Sequence, residues 1–257
     1  MPRIARERSK SGIYHIMLRG ANRQEIFHDE EDSERFLETL DRYKKKSEMK
    51  VYGWCLMGNH VNLLIAEGNE NISTTIKRIA VSFAWFYNGK YKTTGHLFQD
   101  RYRSEKVEDD SYMMTVIRYI HQNPIEAGMV KKADEWKWSS CRGYYDKPCY
   151  PPGLLDSEFI LTLFSEDKIT AIKRFIEYNE SENEDKCLDE VIRERLNDKE
   201  AVNKIKKIIS GYEIVEIKSL PKAQRDEVVK KIKQIEGLSQ RQAARILGIS
   251  PNLIFKA

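Results

Sequence analysis

The stretch VYGWCLMGNHVNLLIA, residues 51–66, decides the fold. It holds two short apolar runs rich in β-formers, Val51 to Met57 and Val61 to Ala66, separated by Gly58-Asn59. That pair of turn residues between such runs predicts a tight β-hairpin. Upstream, Tyr14 to Arg19 (YHIMLR) alternates as a strand does, and Gly20 and Asn22 supply the turn after it. Between this strand and the hairpin, Phe36, Leu37, Leu40 and Tyr43 fall at helical spacing, with Asp29 or Asp32 placed to cap the helix. Helical periodicity returns from Ile72 to Tyr87, with Ser73 or Thr74 near its start and Asn88-Gly89 as its stop. The basic and aromatic stretch His96 to Glu108 reads as a strand or extended loop. A third helix opens at Asp110 or Ser111 and stops near Asn123, because Pro124 disfavours helical geometry in the residue before it. This order of elements predicts an α+β domain, an antiparallel sheet with helices on one face.

The remaining sequence divides the chain into residues 1–150, a charged and mostly helical spacer over 151–220, and a compact all-α unit over 221–257. In that last unit Lys222 to Ile235 reads as one helix and Gly237 breaks it. Ser239 then caps QRQAARIL, Gly248-Ile249-Ser250 makes a short turn, and Pro251 takes a first helical position. Two helices joined through a glycine-containing turn match the helix-turn-helix pattern, with Arg241 and Arg245 as its DNA-contacting candidates. A plain helical hairpin that binds protein is the competing reading.

Hydrophobic residues make up 40% of the chain and charged ones 33%. No run reaches the roughly 18 to 20 apolar residues of a membrane span. The apolar stretch from Ile13 to Leu18 is interrupted by His15 and far shorter than a signal-peptide core, so a cytoplasmic protein is expected. Cys55, Cys141, Cys149 and Cys187 form no C-x-x-C pair, which argues against a zinc ribbon or a disulfide framework. The net charge of +4 is uneven, with basic ends flanking an acidic middle over 156–200. Such ends suit a polyanionic partner.

Three pieces carry chemistry: Asn59-His60-Val61-Asn62, Gln99-Asp100-Arg101-Tyr102-Arg103, and Arg118 to Pro124 (RYIHQNP). On a strand His60 and Asn62 share a face, so an imidazole nitrogen and an amide oxygen converge. On a helix Tyr119 and Asn123 share a face, which brings a phenol and a second amide oxygen together. His121, two residues from Tyr119, points to a different face and reads as structural or DNA-contacting. Arg101, Arg103 and Arg118, with Tyr102 among them, offer cations and a stacking surface for a folded single strand.

Gly20-Ala21-Asn22-Arg23, Asn59 to Leu64, Leu97 to Ser104 and Arg118 to Gly128, in this order, resemble the REP-associated and insertion-sequence single-tyrosine transposases of the HUH nuclease superfamily. The similarity runs over about residues 10–145. It implies a ferredoxin-like antiparallel sheet, usually in a dimer, followed here by the all-α region with its helix-turn-helix. It also implies cleavage and transfer of single-stranded hairpin DNA through a 5′-phosphotyrosine. Carried over, Tyr119 is the nucleophile, and His60, Asn62 and Asn123 are ligands for Mg2+ or Mn2+. Arg23, Arg101, Tyr102, Arg103, Arg118, Arg241 and Arg245 are the DNA-binding candidates.

One departure matters. The family pattern has a histidine where this chain has Asn62, two residues after His60. An amide oxygen ligates hard cations but binds more weakly than imidazole. The competing function is therefore a catalytically weakened or inactive domesticated transposase acting as a DNA-binding regulator.

Overall fold

A computed structural model describes residues 7–185, 187–188, 196–209, 212–235 and 237–256, with side chains through residue 254. The chain divides into two compact units, 5–190 and 191–257.

The first unit is built on strands β1 (Ile13–Arg19), β2 (Lys50–Met57), β3 (His60–Ala66) and β4 (Arg103–Lys106). Their order is β2-β3-β1-β4 and every neighbouring pair is antiparallel. The hairpin β2-β3 turns at Gly58-Asn59, as the sequence predicts. With helices α1 (Glu30–Ser47) and α2 (Ile72–Tyr91) following β1 and β3, the topology is ferredoxin-like.

Period-2 alternation sorts the strand residues between two cores. Tyr14, Ile16, Leu18, Val61, Leu63 and Ile65 face α1 and α2. Cys55, Met57 and Leu64 face α3 (Asp110–Glu126) and belong to the second core. The expectation of helices on one face thus holds for α1 and α2, while α3 covers the other face. Gly53 explains how closely it does so: a Cβ there would stand 2.2 Å from Ile117 Cδ1.

Local capping fixes the helix ends. Asp29 caps α1 in a reciprocal capping box with Asp32. Asn71 caps α2, its side chain accepting from the Ser73 N–H, so Ser73 and Thr74 lie near the helix start as the sequence predicts. That helix also runs past Asn88-Gly89 to Tyr91, because its last turn is held from outside. Lys90 pairs with Asp29 and Asp32, and the Tyr91 hydroxyl donates to Asp32 at 2.7 Å. Likewise α3 carries Pro124 inside its last turn and ends at Glu126 rather than near Asn123, the turn closing through Ala127 N–H to Asn123 O at 3.0 Å and Met129 N–H to Pro124 O at 2.9 Å.

The expected spacer over 151–220 is divided between the units. Helices α4 (Cys141–Tyr144), α5 (Glu158–Thr162) and α6 (Lys168–Glu180) supply Tyr144, Ile160, Leu161, Ala171 and Phe175 to the second core. Phe175 stacks on Tyr144 at 4.5 Å between ring centroids. Charge on the outer face of α6 had concealed this apolar stripe.

In the second unit α7 (Asp198–Ile208), α8 (Lys222–Ile232), α9 (Gln240–Leu247) and α10 (Pro251–Lys256) surround a core containing Ile205, Val229, Ile232, Ala243, Ala244, Leu247 and Ile254. Ser239 caps α9, and Gly248 ends it at φ +62, a left-handed conformation that glycine adopts without strain. No helix among the described residues is long and apolar enough to cross a membrane.

Candidate active site

On the α3 side of the sheet, side chains from four elements form one chain of polar contacts. Asn123 Nδ2 donates to the main-chain carbonyl of Tyr119 at 2.7 Å. A carbonyl can only accept, so Asn123 Oδ1 faces β3, where it accepts from Asn62 Nδ2 at 2.8 Å. Asn62 Oδ1 in turn faces His15 Nε2 of β1 at 3.3 Å, and the direction of the chain makes that ring nitrogen the donor. His15 Nδ1 lies 3.9 Å from Glu105 Oε2 on β4. The His15 ring beside Glu105, joined by the Tyr112 hydroxyl, holds that carboxyl below the usual range despite its partial burial.

Tyr119 sits against this chain, its ring edge-on to His15 at 5.9 Å between centroids and only 4% of the residue exposed. His15 and Asn62 are fully buried and Asn123 nearly so. His60 is two residues from Asn62 on the same strand face, opposite Arg19 in the register, and half-buried. Its Nδ1 lies 2.7 Å from Asn59 Oδ1, which can only accept, so Nδ1 carries the proton of that bond and the ring is held in place. Metal-binding histidines are commonly oriented by such an outer contact.

The donor types of His60, Asn62 and Asn123, one oriented imidazole and two amides, therefore fit a hard divalent cation. Among the described residues no cluster of three His, Cys, Asp or Glu side chains is placed to hold a metal. A cation here would depend on amide oxygens, and on exchanging the bond that now joins the two asparagines.

The other sequence candidates scatter. Arg118 makes a two-pronged ion pair with Asp185 at 2.7 and 3.0 Å and lies 4.1 Å over the Tyr178 ring. It clamps the segment after α6 rather than offering a free cation to DNA. Tyr102 is buried and its hydroxyl meets Ser73 Oγ at 2.7 Å, which removes its ring from any stacking surface. Arg103 is half-buried in β4, whereas Arg101 and Arg23 are exposed, the latter at φ +62. Arg241 is exposed on α9, and Arg245 pairs with Asp198 at 2.7 and 2.8 Å.

His121 is structural. It is fully buried, with Nε2 2.9 Å from Ser140 Oγ and Nδ1 3.2 Å from Asn179 Oδ1, and burial drives its pKa down to about 3. His15 and Glu105 were not singled out from the sequence. The available signal was a histidine at an inward alternation position of a strand, which becomes informative once β1 is known to lie beside β3.

A four-stranded antiparallel sheet in this order, with a tyrosine-bearing helix laid across its histidine-bearing hairpin, has the fold of the small tyrosine transposases. Residues 8–123 match the family model described as transposase IS200 like. A REP-associated tyrosine transposase solved bound to a REP hairpin has this fold: TM-score 0.50 at 18% identity, covering 59% of this chain and 89% of that one. A crystal structure described as that of a putative transposase from Deinococcus radiodurans R1 matches at 17% identity and TM-score 0.34, covering 49% of this chain and 96% of that one. No curated protein matches the sequence.

Proposed function

We propose that the chain cuts and rejoins single-stranded, hairpin-forming DNA with Tyr119 as nucleophile. The observation behind this reading is that Tyr119, Asn123, Asn62 and His15 meet on one sheet face of a transposase-family domain. The Tyr119 oxygen bonds to the scissile phosphorus as the bond from phosphorus to the preceding 3′ oxygen breaks. The phenolic proton passes to solvent, and the leaving oxygen takes up a proton to become a 3′-hydroxyl. The phosphodiester energy is kept in a 5′-phosphotyrosine, so attack by another 3′-hydroxyl completes transfer. Held by His60, Asn62 and Asn123, Mg2+ or Mn2+ would polarise the phosphate.

The hairpin bound to the structural relative supports a folded single strand as the substrate class. In this reading the protein acts as a cytoplasmic homodimer, and α9 and α10 form a helix-turn-helix that adds duplex contacts through the exposed Arg241. The test is incubation of the purified chain with labelled hairpin DNA and Mn2+, followed by a denaturing gel. A slow-migrating covalent band that is absent from Tyr119→Phe is expected.

One observation favours a second reading, DNA binding without cutting. The Asn62–Asn123 bond occupies the oxygen that a cation would use, beside a buried tyrosine. Under that reading the natural chain binds the hairpin with no adduct, and Asn62→His restores the adduct.

A further inference from the structure

Helix α2 buries Ile72, Ile76, Ile79 and Phe83 against the sheet, and its opposite side carries an unusual stripe. Lys77, Val81, Trp85 and Asn88 follow one another at steps of four, four and three residues, so they line one side of the helix, and Lys92, its left-handed C-cap residue, follows just past the end. Val81 is 60% exposed and Trp85 82%, the most exposed large hydrophobic side chain among the described residues. An indole left in water on a rigid helix is a feature that partners use.

Charge indicates the kind of partner. The chain has 40 acidic residues, yet none lies within Ile72–Tyr91. Lys77 and Lys92 are exposed at the two ends of the stripe, about 22 Å apart at ~1.5 Å of rise per residue. Arg78 lies beside the stripe and pairs with Glu70. Gly89, one turn beyond Trp85, puts no side chain next to the stripe and has open space where a Cβ would stand. A second copy of the same stripe would bring lysine against lysine, which disfavours self-association through this face.

We infer that this stripe binds single-stranded nucleic acid, Trp85 stacking on an unpaired base and Lys77 and Lys92 meeting backbone phosphates on either side. The combination of an aromatic platform with flanking cations is how sequence-tolerant single-strand sites are made. The surface belongs to the α1–α2 side of the sheet, whereas Tyr119 belongs to the α3 side. The inference is therefore independent of whether Tyr119 cuts.

The test is fluorescence anisotropy of a fluorescein-labelled twelve-nucleotide oligothymidine with the full chain. Trp85→Ala is expected to raise Kd about 5- to 100-fold and Trp85→Phe to keep most of the affinity. The Lys77→Gln/Lys92→Gln double variant is expected to flatten the dependence of log K on log salt by about 1.4. Circular dichroism checks that each variant is folded, as expected for exposed positions. A folded Trp85→Ala with Kd within about twofold of the natural chain overturns the inference. So does loss of a dimer by light scattering with Kd unchanged, which would assign the stripe to a second copy.

Discussion

The Asn62 side-chain amide donates to Asn123 Oδ1 across 2.8 Å, joining β3 to α3 at the two positions where the family resemblance places cation ligands. Asn123 carries a second bond, to the Tyr119 carbonyl, so one side chain ties the sheet to the tyrosine's own backbone.

Replacing Asn123 by Leu removes both of its bonds, to Asn62 and to the Tyr119 carbonyl. A loss of about 1–3 kcal/mol in urea unfolding is expected.

Asn62→His places an imidazole beside His60 on the same strand face. We expect Mn2+ to raise its melting temperature more than that of the natural chain, because a ligand that binds only the folded state stabilises by mass action. Differential scanning fluorimetry against an EDTA control reads this without DNA. Equal responses from the two proteins would count against a cation site at these residues.

His121 makes a pH prediction. Its folded pKa of about 3 lies below its ordinary 6.5, with burial as the main cause. The neutral ring is thus favoured in the folded state. Its contribution is fully present above pH 6.5 and is lost progressively as pH falls towards 3. In paired urea titrations over that window, His121→Gln is expected to lose less stability than the natural chain, although it is the weaker protein at pH 7.

Arg118→Lys keeps the charge but loses the two-pronged geometry on Asp185 and the stacking on Tyr178. We expect a cost of about 1–3 kcal/mol in unfolding, with hairpin affinity and its salt dependence unchanged. Arg101→Gln should do the reverse, leaving stability intact, weakening hairpin binding most at low salt and flattening the dependence of log K on log salt by about 0.7.

Much of the fold was legible because alternation and turn chemistry in residues 13–19 and 51–66 are local. The same holds for the Ser239 cap and the Gly248 stop. What the sequence concealed was tertiary. The last turn of α2 persists through Lys90 and Tyr91, whose partners on α1 lie some sixty residues away. Arg118 and Tyr102 have the residue types of a DNA surface, yet both are spent on internal contacts. His15 and Glu105 join the site only because β1 lies between β3 and β4, an order no single strand encodes.

Gly53 has a mechanical consequence. With no side chain at that position, α3 settles directly onto β2, and Arg118 and His121 fasten it further to Asp185, Ser140 and Asn179. A helix so anchored is a fixed mount rather than a moving arm. For Tyr119 to reach a phosphate, its ring must swivel or the nucleic acid must thread inward, while the backbone beneath stays where it is.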